Sequence, residues 1–492
     1  MSFNSLFFIL LFLPVCLGVY YLLPKRAENF FLLLTNLLFY TFCDELFVLF
    51  LLFSALLNYF FGKLIFFRRQ RVFLITSILV NLVFLGFFKY YNFFFTSIHD
   101  VFRNSIIGAM FPGVIAGLIL PLGISFFTFR AISYQVDIYR KKTEPSQNPI
   151  SFLVYFTLFP LITAGPIIRY VDLREQLKER EVNFSCFIGG LERFVLGLIK
   201  KVLIAGTFAG IADRIFSAQI QDLSMGFAWV GILSYTFQIF FDFSGYTDMA
   251  IGIGTMLGFN FAENFNFPYM AKNVQDFWNR WHITLSSWLR DYIFLPLAYY
   301  ISKKLKKERY LMIKTDRIIY FIAIAVTFFI CGFWHGAGWT FIIWGLYFAL
   351  FLVLEQFGMR RLLKRTWLPL QHFYALLVVI VGWVIFRSDN MGFAFRFIGR
   401  MFSFSNGYSP LNSALIFYIN NTETFLAILM ALFFSFPFMQ WCNSTIKNNI
   451  ASDNKVYYVI NSVRLIFLVV LFVVSLSYIS SSSYQPFIYK QF

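Results

Sequence analysis

Two of the four histidines in this chain stand where a histidine is hard to account for as packing. His335 lies in "CGFWHGAGW" between two long apolar runs, and His282 lies in "DFWNRWHITLSSWLRDY" among tryptophans, arginines and an asparagine. An ionisable group at membrane depth is costly and by default marks a functional path. A neutral imidazole near pH 7 takes a proton from a hydroxyl, the step that acyl transfer to an alcohol needs. Gly332, Gly336 and Gly338 permit tight turns or close approach of a substrate, and Trp334 and Trp339 can wall a pocket. The competing reading of His335 is a hydrogen bond to a neighbouring helix that only ties the bundle together.

Other chemistries are open at the same residues. Cys331 stands four residues before His335, a nucleophile pair if one helix carries both, although Gly332 between them can end that helix. His282, His335 and Asp242 could hold a metal, but their separations follow no ligand spacing, and no metal site is expected. Read as one helix, 276–292 places Asn279, His282 and Ser286 on one face and Arg280, Thr284, Ser287 and Asp291 on another. Trp278, Trp281 and Trp288 then supply packing, so the segment presents polar groups to a cavity; an interfacial amphipathic helix with an aromatic belt is the alternative. Gln238, Asp242, Tyr246 and Asp248 in one apolar run, and Arg130, Gln135 and Asp137 in another, are expected to pair with one another and hold the bundle. His99 and His372 read as structural.

The elements that position these groups are membrane helices. A chain of 492 residues that is 59% hydrophobic and 13% charged, with mean hydropathy +0.70, lies far outside soluble domains. Its formal charge of +17 falls in short runs between apolar segments, as the positive-inside bias places it, so no nucleic-acid partner is expected. Five scattered cysteines form neither a CxxC pair nor a disulfide framework. Candidate spans run over 5–23, 29–43, 47–61, 72–88, 113–139, 184–207, 225–259, 318–332, 341–354, 373–386, 425–439 and 465–479. The first has no basic residue before it and no small-residue cleavage site after it, so it is expected to stay as a span. Alternation with Lys25 and Arg26 inside puts Arg68 to Arg71, Arg140 to Lys142 and Arg360 to Arg365 inside too, and the 332–338 turn toward the outer half. The stretches 149–170, with three prolines, and 264–300 do not fit as simple spans and read as re-entrant or interfacial. The expectation is one all-α integral membrane domain over 1–492, with about 11–12 spans plus re-entrant helices.

The stretches "PLGISFFTFRAISYQVDIYR", "YFTLFPLITAGPIIR", "FDFSGYTDMAIG", "QDFWNRWHITLSSWLRDYIFLPL", "GFWHGAGWTFIIWGLYF" and "QPFIYKQF" resemble the membrane-bound O-acyltransferase family. They most resemble its bacterial branch, that of the alginate O-acetyltransferase membrane subunit, and the resemblance runs in order along nearly the whole chain. It implies a ring of tilted helices around a central tunnel. It makes His335 of "WHG" the catalytic base and His282 of "WNRWH" the second signature histidine, with His282 or Asn279 steadying the oxyanion or orienting the acyl group. Asn279, Arg280, Trp278, Ser286 and Trp334 are then expected to meet substrate. It also implies an acyl thioester as donor substrate, acetyl-CoA or an acyl carrier, with no bound cofactor. A polysaccharide acceptor, a periplasmic hydrolase-fold (SGNH-type) O-acetyltransferase partner and a place in the bacterial inner membrane follow from the same branch. A transporter or flippase, marked by Asp242, Asp248 and Arg130, and a non-catalytic scaffold of a polysaccharide export complex are the competing functions.

Overall fold

In lipid, backbone N–H and C=O groups must find partners within the segment, so the apolar runs can only be helices. The computed structural model describes residues 1–102, 115, 117–310, 312–404, 415–416, 418–438, 441–442 and 455–481. The tail 485–492 and the start of the expected span 113–139 lie outside them. Each expected span overlaps a helix, and seven helices among the described residues are long and apolar enough to cross a membrane. Phe8–Leu22 and Thr422–Ser435 are shorter apolar helices. The helices Lys25–Cys43, Ile124–Tyr139 and Met225–Met256 carry several of the charged and amide side chains that the chain keeps in otherwise apolar surroundings. The protein is thus a polytopic, all-α membrane protein. Its described strands are a two-residue pair, Arg309–Tyr310 with Ile313–Lys314, in a basic loop.

The chain divides into two compact units, 1–190 with 250–262, and 191–249 with 263–492. In the first, Asn58 and Asn81 exchange amide hydrogen bonds of 3.1 and 2.9 Å, and Gln135 Nε2 donates to the Asn58 carbonyl at 2.8 Å. Arg130 donates to the Tyr155 carbonyl at 3.0 Å. That carbonyl belongs to the stretch 149–170, which is broken into the short helices Pro149–Thr157 and Phe159–Ile162 rather than forming one span.

In the second unit the acidic residues of the Met225–Met256 helix take cations from the helical run Phe184–Phe216. Lys201 pairs with Asp242, and Asp248 accepts from Lys200 at 2.7 Å and Arg193 at 2.9 Å. Both aspartates thus find cations within their own unit, partners that the sequence reading did not name. A π-turn over Lys200–Ala205 widens the helix where the two lysines leave it, and Gly197 and Gly245 let the backbones close up; a Cβ on Gly197 would stand 2.5 Å from the Gly245 carbonyl oxygen.

The helices Thr315–His335 and Trp339–Leu354 form the hairpin that carries the "WHG" motif. Gly332 does not end the first of them. Its missing side chain admits the second helix, because a Cβ there would lie 2.2 Å from the Phe341 carbonyl oxygen, and one on Gly345 would lie 2.1 Å from that of Phe328. Gly336 makes room for the Phe341 ring in the same way, at 2.2 Å. These glycines serve the chain's own packing; Gly336 and Gly338 are extended, with φ of −167° and −161°.

Candidate active site

The stretch 276–292 is two short helices and a turn, Val274–Trp278 and Ile283–Leu289, not the single helix expected. His282 is the cause. Its backbone is left-handed, φ 44° and ψ 53°, a conformation that side chains other than glycine adopt only when their surroundings impose it. The two polar faces drawn through that stretch therefore do not exist.

What imposes the conformation is Asn264, eighteen residues upstream. Its carbonyl accepts from the Ile283 N–H at 2.9 Å. Its side-chain Oδ1 accepts from the Thr284 N–H at 3.2 Å and the Thr284 hydroxyl at 2.8 Å, and lies 3.0 Å from His282 Nδ1. A backbone N–H can only donate, so the amide is oriented with its oxygen at this point. An amide oxygen can only accept, so Nδ1 of His282 carries the proton and Nε2 presents a lone pair. His282 is 0% exposed, and its Nε2 has no hydrogen-bond partner among the described residues. Burial pushes its pKa down to about 3, which keeps the ring neutral.

His335 ends its helix and is 3% exposed, walled by the edges and faces of Trp334, Trp344 and Phe386 at centroid distances of 4.8, 5.0 and 5.3 Å. Trp334 joins the two histidines, since its ring also lies 6.4 Å from that of His282, whose other side meets Phe243 edge-on at 4.7 Å. The imidazoles thus share one aromatic chamber. Trp339, by contrast, is 60% exposed and does not wall it.

A cavity of about 330 Å³ is lined by Trp278, Asn279, Ser286, Arg290, Thr327 and Cys331, and by neither histidine nor Trp334. Trp278, Asn279 and Ser286 are thus brought together in one wall. Arg280 is not in it; its guanidinium holds the turn, bonded to Asp276 at 2.9 Å and to the Asn266 carbonyl at 3.3 Å. Cys331 and His335 do share a helix, with the thiol at the cavity and one turn below the imidazole. No three His, Cys, Asp or Glu side chains gather anywhere among the described residues, so His282, His335 and Asp242 do not form a ligand set. His372 is structural, with Nδ1 3.1 Å from the Ala271 carbonyl oxygen.

Two supporting residues escaped the sequence reading, Asn264 and Glu355, and Thr284, read there as part of a polar helix face, is instead the partner of Asn264. The buried Glu355 carboxylate accepts from the backbone N–H groups of Val274 at 2.7 Å and Gln275 at 3.1 Å, and from the Tyr374 hydroxyl at 3.2 Å. It caps the helix that carries Trp278 into the cavity wall.

The membrane-bound O-acyltransferase family matches this sequence over residues 122–394, a stretch that contains both histidines and the cavity. The chain belongs to the membrane-bound O-acyltransferase family. Among its relatives, a probable alginate O-acetylase of Pseudomonas aeruginosa is 39% identical over 88% of this chain and 81% of its own length. A peptidoglycan O-acetyltransferase of Helicobacter pylori is 35% identical over 81% of this chain and 79% of its own. A teichoic acid D-alanyltransferase of Bacillus subtilis is 32% identical over 54% of this chain and 66% of its own. As a membrane-bound O-acyltransferase the protein is an enzyme that uses an acyl donor.

Proposed function

We propose that this acyltransferase takes an acetyl group from a cytoplasmic thioester and passes it to a hydroxyl on the far side of the bacterial cytoplasmic membrane, with an extracytoplasmic polysaccharide or cell-wall glycan as the final acceptor. Acetyl-CoA is the preferred donor, and a periplasmic hydrolase-fold transferase completes the relay. The names of the relatives, O-acetylases of alginate and peptidoglycan, support this reading.

The observation that carries it is two buried imidazoles that both contact Trp334, close to a cavity whose wall holds Ile283, next to His282, and Cys331, one turn before His335. His335 takes the proton as the acceptor oxygen attacks the thioester carbonyl; the C–S bond then breaks and the proton passes to the leaving thiolate. The charge that His335 gains faces the carbonyl end of its own helix, which favours it. His282 has a lone pair rather than a donor at Nε2, so it is suited to accept the hydrogen bond of the incoming hydroxyl and not to steady an oxyanion. Asn279 and Ser286 are among the donor-bearing residues of the cavity wall, with Ser287, Arg290 and Thr327.

A second reading reverses the two histidines. His282 with Asn264 behind it is a base with an orienting amide, the arrangement that lets an imidazole take and give a proton at Nε2. Transfer from radiolabelled acetyl-CoA by the purified protein in nanodiscs, comparing His335→Ala with His282→Ala at equal folded yield, separates these. Loss in His335→Ala alone supports the first assignment and loss in His282→Ala alone the second. Unchanged turnover in both would remove the site from the chemistry.

A further inference from the structure

A second cavity, also of about 330 Å³, is lined by Arg317, Arg360, Arg361 and Lys364 together with Glu355 and Gly358. Its place follows from the hairpin. Tyr320 and Leu352 line the first cavity, while Arg317 and Glu355, three residues away on the same two helices, line the second. The cationic cavity is therefore about 5 Å further along both helix axes, on the side away from His335.

Gly358 builds it. Its φ of 144° is open to glycine alone, and it breaks the helix so that Arg360–Leu363 starts on a new axis. Arg317 is steadied over the Phe357 ring at 5.3 Å. Among the described residues no carboxylate oxygen comes within 4.0 Å of any of the four cations. The one carboxylate in the wall, Glu355, already accepts from Val274, Gln275 and Tyr374. Gln275 links the two, since it lines the first cavity while its N–H donates to Glu355 in the wall of the second.

Four cations without a carboxylate partner among the described residues line this half-open cavity, Arg317 half-buried and Arg360, Arg361 and Lys364 exposed at its mouth. With donors in excess over the acceptors of Glu355 and Gln356, they match a group with several anionic oxygens. We propose that this cavity binds phosphate, as a phosphomonoester or phosphodiester, and is not topogenic charge alone. The ligand is either the phosphate end of the thioester donor, whose arm then threads the first cavity toward Cys331 and His335, or the headgroup of an anionic phospholipid. The first source rests on the function proposed above; the site itself does not.

The test needs no turnover. Free coenzyme A is titrated calorimetrically into the full chain in phosphatidylcholine nanodiscs, and phosphatidylglycerol is titrated into the detergent-solubilised protein under native mass spectrometry. Arg317→Gln and the pair Arg360→Gln with Arg361→Gln are compared with Lys306→Gln with Lys307→Gln, an exposed basic pair outside the cavity, all matched by thermal melting. The cavity variants weaken one of the two ligands about tenfold or more, and the effect fades with salt, while the control pair changes neither. Loss of coenzyme A binding identifies the donor, and loss of lipid binding identifies the headgroup. Equal binding of both ligands in the cavity variants and the wild type overturns the proposal. If binding is lost in the variants while the wild type transfers no acetyl group, the phosphate site stands and the acetyl-transfer reading falls.

Discussion

Asn264 holds His282 through one oxygen that three donors share, which fixes the tautomer of the imidazole. Asn264→Ala frees Nδ1 and allows the other tautomer, so kcat should fall about ten- to a hundredfold with the donor KM little changed. Asn264→Asp keeps every accepted bond but adds a negative charge, which favours the imidazolium. Its pH–rate profile should move to higher pH, a shift that a merely structural role would not produce. Wild-type kinetics in both variants would detach His282 from catalysis. The same ring also gives the protein an acid sensitivity. Its pKa is about 3 in the fold against 6.5 in the open chain, so the unfolded state takes up the proton first as pH falls. The stabilisation is complete above pH about 6.5 and is lost progressively toward pH about 3. Melting curves at pH 7.5 and 5 should show a larger loss for the wild type than for His282→Gln; equal losses would contradict the buried neutral ring.

At the scale of the element, the hairpin Thr315–His335 with Trp339–Leu354 is held at the spacing of its glycines. A methyl group on Gly332 or Gly345 would strike backbone oxygen, which cannot swing aside as a side chain can. Gly332→Ala should therefore push the helices apart, lower the melting temperature by the equivalent of about 1–3 kcal/mol, and reduce activity by moving His335. Gly18, in the helix Leu13–Leu22, has nothing within 4 Å of its Cβ direction, and Gly18→Ala should be neutral or slightly stabilising. Similar melting of the two variants would show that the close crossing does not hold the hairpin.

For the whole molecule, the buried Lys201–Asp242 pair fixes two long helices of the second unit against each other. Removing one partner leaves a charge in apolar surroundings, so Lys201→Met should cost about 3–5 kcal/mol and much of the folded yield. The double variant with Asp242→Leu should recover most of it, as read by monodisperse yield on gel filtration. A double variant as poor as the single one would mean that the aspartate has another task.

The sequence alone determined the class of the protein, because apolar runs of membrane length admit only helices and basic runs sort to one side. It also singled out the two histidines as candidates, since an imidazole in such company has few structural reasons to be there. Trp278, Asn279 and Ser286 were legible as neighbours of the site through their nearness to His282 in the chain. Only the tertiary structure decided the break at His282, because a left-handed residue inside a helical pattern depends on Asn264, which no local periodicity connects to it. It alone decided the partners of Asp242 and Asp248, because Lys200 and Lys201 in an apolar run could have faced either of two helices. Glu355 stayed illegible for the same reason. A single carboxylate at the end of a hydrophobic helix reads as a surface charge, and only the fold turns it inward to cap the helix that carries the site.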